Sequence, residues 1–329
     1  MPLKPLTLAS ILLMLIAQLA IAQSPKEAAA PRESKPIEHQ HSSGFQPLKA
    51  GDYDQAYDYY SAGEYLSAFR VALKRAQQGD PTAQTLLGRL YMEGYAVTLD
   101  GARSALWFSR AAERGDPQAE LRYGLLLYNG TYVPRDKEKG EDYVRKAALA
   151  EVPEAYYYYG QLLMNKVVGD EALDIGLTWF LKGAALGDPD AAYAAAQILS
   201  HGTPKITRDA KAARRLLETA AAKDHVGAQI QLAQWMLNAT GGPRDYAQAF
   251  NYLYINAMRG YIPAQINLAR LYRDGIGTNG DTVEAAAWYM IAQKSKMTAP
   301  DLDSLLQGMS DDQLNQAKIE ADKLLHDLH

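Results

Sequence analysis

A few patterns in this 329-residue chain have residue types and spacings that could do chemistry. Gly275-Ile276-Gly277-Thr278-Asn279-Gly280 spells GxGxxG, which cradles a pyrophosphate when it joins a strand to a helix. Here the apolar spacing before it is helical, and the matching stretch earlier in the chain is Gly94-Tyr95-Ala96, so no nucleotide site is expected. The six histidines are scattered: His39 and His41 sit close together, His201 and His225 fall at helix ends, and His326 and His329 lie near the C-terminus. They read as solvated polar residues, and no metal or cofactor is expected. No HExxH or GxSxG motif occurs. The absence of cysteine removes thiol nucleophiles, disulfides and Cys-ligated zinc. Asn129-Gly130-Thr131 and Asn238-Ala239-Thr240 are glycosylation sequons that matter only in a eukaryotic secretory route. No catalytic residue is predicted, and the chain reads as a non-enzyme.

The elements around these residues repeat. Ala83, Ala119, Ala155, Ala191, Ala228 and Ala264 are separated by 36, 36, 36, 37 and 36 residues. Five positions after each comes a tiny residue: Gly88, Gly124, Gly160, Ala196, Ala233 and Ala269. Eleven positions after comes Gly94, Gly130, Gly202 or Gly275, with Lys166 and Ala239 as exceptions. Twenty-four positions after comes Trp107, Tyr143, Trp179, Tyr252 or Trp288; the fourth unit departs, with Leu216 one step late. A period of this length is the signature of a solenoid. Asp80-Pro81, Asp116-Pro117 and Asp188-Pro189 read as N-caps followed by proline at the first helical position, where its missing N–H costs nothing. Each unit therefore predicts an antiparallel helix hairpin that must stack on its neighbours to bury its apolar face.

On Gly79-Asp80, Ala83-Gln84, Leu87-Gly88, Leu90-Tyr91 and the stretch from Trp107 to Ala112, repeated down the chain, the sequence resembles the Sel1-like repeat, a relative of the tetratricopeptide repeat. The resemblance covers about Gly79 to Lys294 and implies an all-α fold: a right-handed α/α solenoid of Sel1-like helix hairpins. It also implies a scaffold or adaptor that binds protein or peptide. Soluble exported members of the family include regulators of envelope sensor kinases and factors for exopolysaccharide assembly. Other secreted members are linked to β-lactam hydrolysis, but those carry paired cysteines, which this chain lacks. A eukaryotic lumenal adaptor is a further alternative. The third unit lacks the terminal glycine and carries Tyr156-Tyr157-Tyr158-Tyr159, so its hairpin is expected but not its loop.

The termini predict different roles. Residues 1–22 read as a signal peptide: Lys4, an apolar run from Leu6 to Leu19, then Ala20-Ile21-Ala22 before cleavage at Gln23. An uncleaved anchor is the alternative; otherwise no stable membrane insertion is expected after cleavage. Residues 23–50, with Pro25, Pro31, Pro36 and Pro47, read as a disordered linker. Residues 51–78 predict a capping helix pair, Tyr53 to Ser61 and Glu64 to Gln77. Six repeats follow over 79–294, and 295–329 predict C-terminal capping helices opened by the capping box Ser310-Asp311-Asp312-Gln313. The expected location is periplasmic or secreted. The formal charge of −4 gives no electrostatic case for nucleic acid.

If the hairpins stack like tetratricopeptide repeats, one edge of each first helix lines a concave face. Positions three before, one after and four after the tiny residue then supply Arg89, Leu121, Tyr128, Tyr157, Gln161, Tyr193, Gln197, Ile230, Gln234, Ile266, Arg270 and Arg273, together with Thr85, Leu125, Met92, Met164, Ser200 and Leu237. Aromatics, Met and Arg are enriched at interface cores, so this strip is the predicted protein-binding surface. Self-packing in a tight superhelix is the competing expectation for the same residues.

Overall fold

The computed structural model describes residues 54–327. The predicted signal segment, the linker, Tyr53, His39, His41, Leu328 and His329 lie outside the described residues. Among the described residues there are sixteen α-helices and no strand. Helices α1 (Gln55–Ser61) and α2 (Tyr65–Gln77) form the N-terminal pair, and then six hairpins follow. Their first helices are α3 (Pro81–Glu93), α5 (Pro117–Asn129), α7 (Pro153–Met164), α9 (Pro189–His201), α11 (Val226–Asn238) and α13 (Ile262–Asp274). The second helices are α4 (Gly101–Ala112), α6 (Lys137–Leu149), α8 (Asp170–Ala185), α10 (Ala210–Ala221), α12 (Tyr246–Met258) and α14 (Thr282–Gln293). Helices α15 (Pro300–Gln307) and α16 (Asp311–Asp327) close the chain. The hairpins form two compact units that divide inside α8, unit 1 running to Trp179 and unit 2 from Phe180.

Capping explains why the helices begin where they do. Asp80, Asp116 and Asp188 accept backbone N–H bonds from the first turns of α3, α5 and α9, each with proline at the first position. A second row of aspartates does the same for the second helices: Asp100, Asp136, Asp209, Asp245 and Asp281. In α11 the cap is His225, whose Nδ1 accepts from the Ala228 amide at 3.0 Å. Each such bond satisfies an orphan donor and contributes about 1 kcal/mol. At the other end, Ala239 takes the left-handed conformation at φ 57°, the same cap that Gly130 makes at φ 74°. The third hairpin is present, with neither an aspartate cap on α7 nor a left-handed C-cap.

The core lies one residue beyond the repeating aromatic. Phe108, Val144, Phe180, Leu217, Leu253 and Tyr289 are all 2 % exposed or less. Trp107, Trp179 and Tyr252 are only half-buried. Tyr143 is 8 % exposed, and Trp288 is fully buried where α16 packs on α14 at that end of unit 2. A second repeated contact is polar. Gln84, Gln229 and Gln265 each donate Nε2 to a carbonyl eight residues back, on Ala76, Ala221 and Ala257, at 3.1, 3.0 and 3.3 Å. These bonds tie α3, α11 and α13 to the helix before each and pair buried amide donors that would otherwise be costly.

The tiny positions are contacts between the two helices of a hairpin. A Cβ on Gly88 would meet the Phe108 ring at 2.6 Å. A Cβ on Gly124 would meet the Gly140 carbonyl at 2.8 Å, and one on Gly140 would meet the Gly124 carbonyl at 2.7 Å. The GxGxxG stretch is also explained by packing. It lies between two helices, and a Cβ on Gly277 would meet the Tyr246 carbonyl at 2.3 Å, where the loop of the last repeat rests on the start of α12.

Candidate protein-binding face

The face exposed by the first helices differs in the two units. In unit 1 it is ionic and aromatic. Arg89 donates to the Tyr60 hydroxyl at 2.9 Å, lies 4.7 Å over the Tyr60 ring and pairs with Glu93 at 3.5 Å. The Tyr60 hydroxyl donates in turn to Glu93 at 2.7 Å, and burial together with that carboxylate pushes the phenol up to about 12. On α5, Arg122 pairs with Glu154 of α7 at 2.7 Å. Between α3 and α5 lies a cleft of about 320 Å³ lined by Arg89, Met92, Glu93, Phe108, Arg122, Leu125 and Leu126. Tyr128 sits under the Lys137 ammonium at 5.6 Å. Tyr157 meets Tyr158 edge-on at 5.4 Å between centroids, and Gln161 is half-buried one turn on.

In unit 2 the corresponding face is an amide row. Gln197 on α9 hydrogen-bonds to Gln231 on α11. Gln234 is exposed one turn beyond Gln231, and Asn267 on α13 accepts from Arg270 at 3.2 Å. Tyr193 stacks on His225 with centroids 4.4 Å apart, and burial raises its phenol pKa. The His225 Nε2 reaches Asp190 at 3.3 Å. Ile230 is half-buried beside the row. At the far end Arg270 binds Asp301 through two bonds of 2.9 Å, and Arg273 bridges Asp301 and Asp274 at 2.9 and 2.7 Å. The two guanidiniums hold the Asp301 carboxyl well below the usual carboxylate range.

The predicted strip is therefore divided. Leu121 and Ile266 are corrections: at 0 % and 8 % exposure they are core, since the position three before the tiny residue turns inward in those two helices. Thr85, which turns inward at the same position of α3, Met164 and Ser200 are buried as well. Arg89, Arg270 and Arg273 reach the surface but are engaged with neighbouring helices. Tyr128, Tyr157, Gln161, Tyr193, Gln197 and Ile230 are half-buried and Gln234 is exposed. Tyr157 belongs to unit 1 and Tyr193 to unit 2. The prediction omitted Gln231, Asn267 and Arg122, three residues after their anchor alanines. Helical geometry already places that position on one face with the position six after the anchor.

Stacked helix hairpins with no strand, a two-aspartate capping rule and glutamine ties define an α/α repeat protein. The family model described as Sel1 repeat matches residues 81–116, 117–151, 189–225, 226–261 and 262–292, more than half of the chain, and passes over the third hairpin. The chain belongs to the Sel1 repeat family. Such repeats generally act as non-enzymatic scaffolds that mediate protein interaction. A Sel1 repeat protein from Oxalobacter formigenes superposes with a TM-score of 0.58 at 25 % identity, covering 74 % of this chain and 97 % of that one. A protective antigen present in uropathogenic Escherichia coli strains, displaying an SLR fold, gives 0.51 at 23 % identity over 82 % of this chain and 67 % of that one, which speaks to fold alone. No curated protein matches the chain. Among the described residues no helix is long and apolar enough to cross a membrane, and no three His, Asp or Glu side chains gather to hold a metal.

Proposed function

We propose that this chain is an exported scaffold that holds a protein or peptide along the first helices of unit 2 and acts outside the cytoplasm in envelope signalling or exopolysaccharide production. The observation that carries this reading is the amide row of Gln197, Gln231, Gln234 and Asn267, flanked by Tyr193 and Ile230. Amides offer donors and acceptors together, as an extended backbone requires. A tyrosine and an isoleucine beside them supply apolar area at little rotamer cost. Export rests on Lys4, the Leu6 to Leu19 run and Ala20-Ile21-Ala22.

The test is a photo-crosslinking residue at position 234, irradiated in cells, with mass spectrometry of the captured partner and N-terminal sequencing of the captured chain. The expected result is an envelope protein joined to a chain that begins near Gln23. Capture of cytoplasmic proteins alone, or a chain that still carries Leu6 to Leu19, overturns the assignment of place and pathway.

A further inference from the structure

The unit 1 cleft has a composition that the amide row lacks. Met92, Leu125, Leu126 and the buried Phe108 ring supply apolar walls in a space of about 320 Å³. That volume lies at the lower end of small-ligand pockets and accommodates one large side chain with some of its backbone. Two guanidiniums line the same cleft against one carboxylate, so its lining is net positive. Glu93 is already occupied by the Tyr60 hydroxyl at 2.7 Å and by Arg89. Arg89 spends Nη2 on Tyr60 and Glu93, and Arg122 spends Nη2 on Glu154, which leaves Nε and Nη1 of each unengaged among the described residues. The two arginine side chains are 39 % and 38 % exposed, within reach of solvent and of a ligand. A guanidinium with donors to spare beside an apolar wall favours a planar carboxylate next to a hydrocarbon group.

We infer that this cleft is a second recognition subsite, which takes a large apolar side chain flanked by an aspartate or glutamate of a polypeptide partner. The inference rests on the protein-binding reading above but uses a different unit and different chemistry. Charge complementarity selects the occupant: a lysine beside the apolar residue would face two guanidiniums, and a purely apolar segment would leave their donors unpaired.

An array of random nonapeptides probed with the full chain tests this, in parallel with Arg122→Glu, Arg122→Lys and Gln234→Ala. Arg122 is half-buried and on the surface of α5, and melting curves establish that each variant remains folded. Bound peptides are expected to share Leu, Met or Phe next to Asp or Glu. Arg122→Glu should weaken them at least about tenfold, the equivalent of ~1.4 kcal/mol, and shift selection towards apolar residues next to Lys or Arg. Arg122→Lys, which keeps the charge without the planar fork, should lose less than Arg122→Glu and keep the acidic preference, and Gln234→Ala should leave this class of peptide unchanged. Peptides whose capture depends on Gln234 but not on Arg122, or that lack the apolar–acidic pair, overturn the subsite and leave the amide row standing. Failure to bind any peptide removes the subsite and counts against the reading on which it rests.

Discussion

The tiny position of the first helix is Gly88, Gly124 and Gly160 in unit 1, and Ala196, Ala233 and Ala269 in unit 2. In unit 2 the alanine side chains are present and fully buried, so the paired helices are spaced to hold a methyl group. In unit 1 a methyl group at Gly88 or Gly124 would fall inside the Phe108 ring contact or against the Gly140 carbonyl. One repeat period thus serves two packing distances. The outer faces diverge in parallel. Unit 1 presents guanidiniums, carboxylates and an apolar cleft, whereas the first helices of unit 2 present a row of neutral amides, with Asp190 beside His225 and the Arg270–Arg273–Asp301 cluster at one end. The period records stacking, and the residues between the periodic positions record what each unit can hold.

The sharpest way to break that comparison is to exchange the small residues. Gly124→Leu and Gly140→Ala should be the most damaging substitutions, since the atoms in the way are backbone and cannot rotate aside. Overpacking of this kind typically costs roughly 1–3 kcal/mol and can cost more. Gly88→Leu and Gly160→Leu should also melt well below Arg89→Leu, which removes only part-exposed contacts with Tyr60 and Glu93. In unit 2, Ala233→Gly should cost about 1 kcal/mol through helix propensity and a lost methyl contact. Thermal melts of the set decide the matter. Equal losses in the two units would mean that their helices are equally spaced.

The next largest effect separates packing from recognition within unit 2. Tyr193 stacks on His225, the residue that caps α11, so Tyr193→Ala should cost about 1–2 kcal/mol of stability, of which ring pairing supplies ~0.5–1.5. Gln234→Ala should leave the melt unchanged and weaken partner capture. The Tyr157→Ala, Tyr193→Ala double variant should therefore lose stability as well as binding. A double variant that melts like the parent would return both tyrosines to a purely recognising role.

Much of the fold was legible because the stacking positions repeat in phase. The anchor alanines are buried and the three Asp-Pro pairs cap first helices, as their spacing predicts. The second row of caps was present in the sequence, as an aspartate seventeen or eighteen residues after every anchor but Ala155, from Asp100 to Asp281, and went unread because no proline follows it. The sequence did not say which of two neighbours goes inward, since a half-buried Trp107 and a buried Phe108 are both large and apolar and only the hairpin's geometry tells them apart. The site was less legible. A tetratricopeptide analogy assigns columns of residues to a face, but Leu121 and Ile266 rotate into the core, and the ion pairs of Arg270 with Asp301 and of Arg122 with Glu154 join residues about thirty apart that carry no periodic mark.

Within unit 1, α5 breaks the glutamine tie. Where Gln84, Gln229 and Gln265 donate to a carbonyl, the chain has Glu120, 9 % exposed. Burial raises its pKa, opposed by Lys146 and reinforced by Asp116 and Asp142. An acid whose pKa is higher in the folded state binds more protons there, so its contribution is present below the ordinary glutamate range and is lost as pH rises through the folded value. Glu120→Gln restores a neutral donor. It should raise stability at neutral pH by about 0.5–1.5 kcal/mol, the net worth of one hydrogen bond, and flatten the stability profile above the glutamate range. Denaturant melts at several pH values check the sign; a less stable Glu120→Gln at neutral pH would show that the carboxylate is better satisfied as an anion.

The smallest effect belongs to the charge cluster that ends unit 2, where the distances alone suggest a strong clasp. Asp301 receives three guanidinium bonds of 2.9 Å from Arg270 and Arg273, and its pKa is driven down by them. A depressed carboxylate contributes stability above its unfolded pKa, and that contribution fades as pH falls through the folded value. The three side chains are, however, between 27 % and 39 % exposed, so solvent and salt screen the attraction and ordering two arginines offsets part of it. Asp301→Asn should therefore cost no more than about 1 kcal/mol at neutral pH, and less in high salt. The substitution should also release Arg270 and Arg273 from α15, since Asn accepts at one oxygen without charge. If the amide row extends to Arg270, the released guanidinium should strengthen capture of acidic partners while the melting temperature barely moves. A fall in melting temperature comparable to that of Gly124→Leu would instead make the cluster a principal support of the C-terminal cap, and would place the weight of unit 2 on its charges rather than on the buried Trp288 beneath α16.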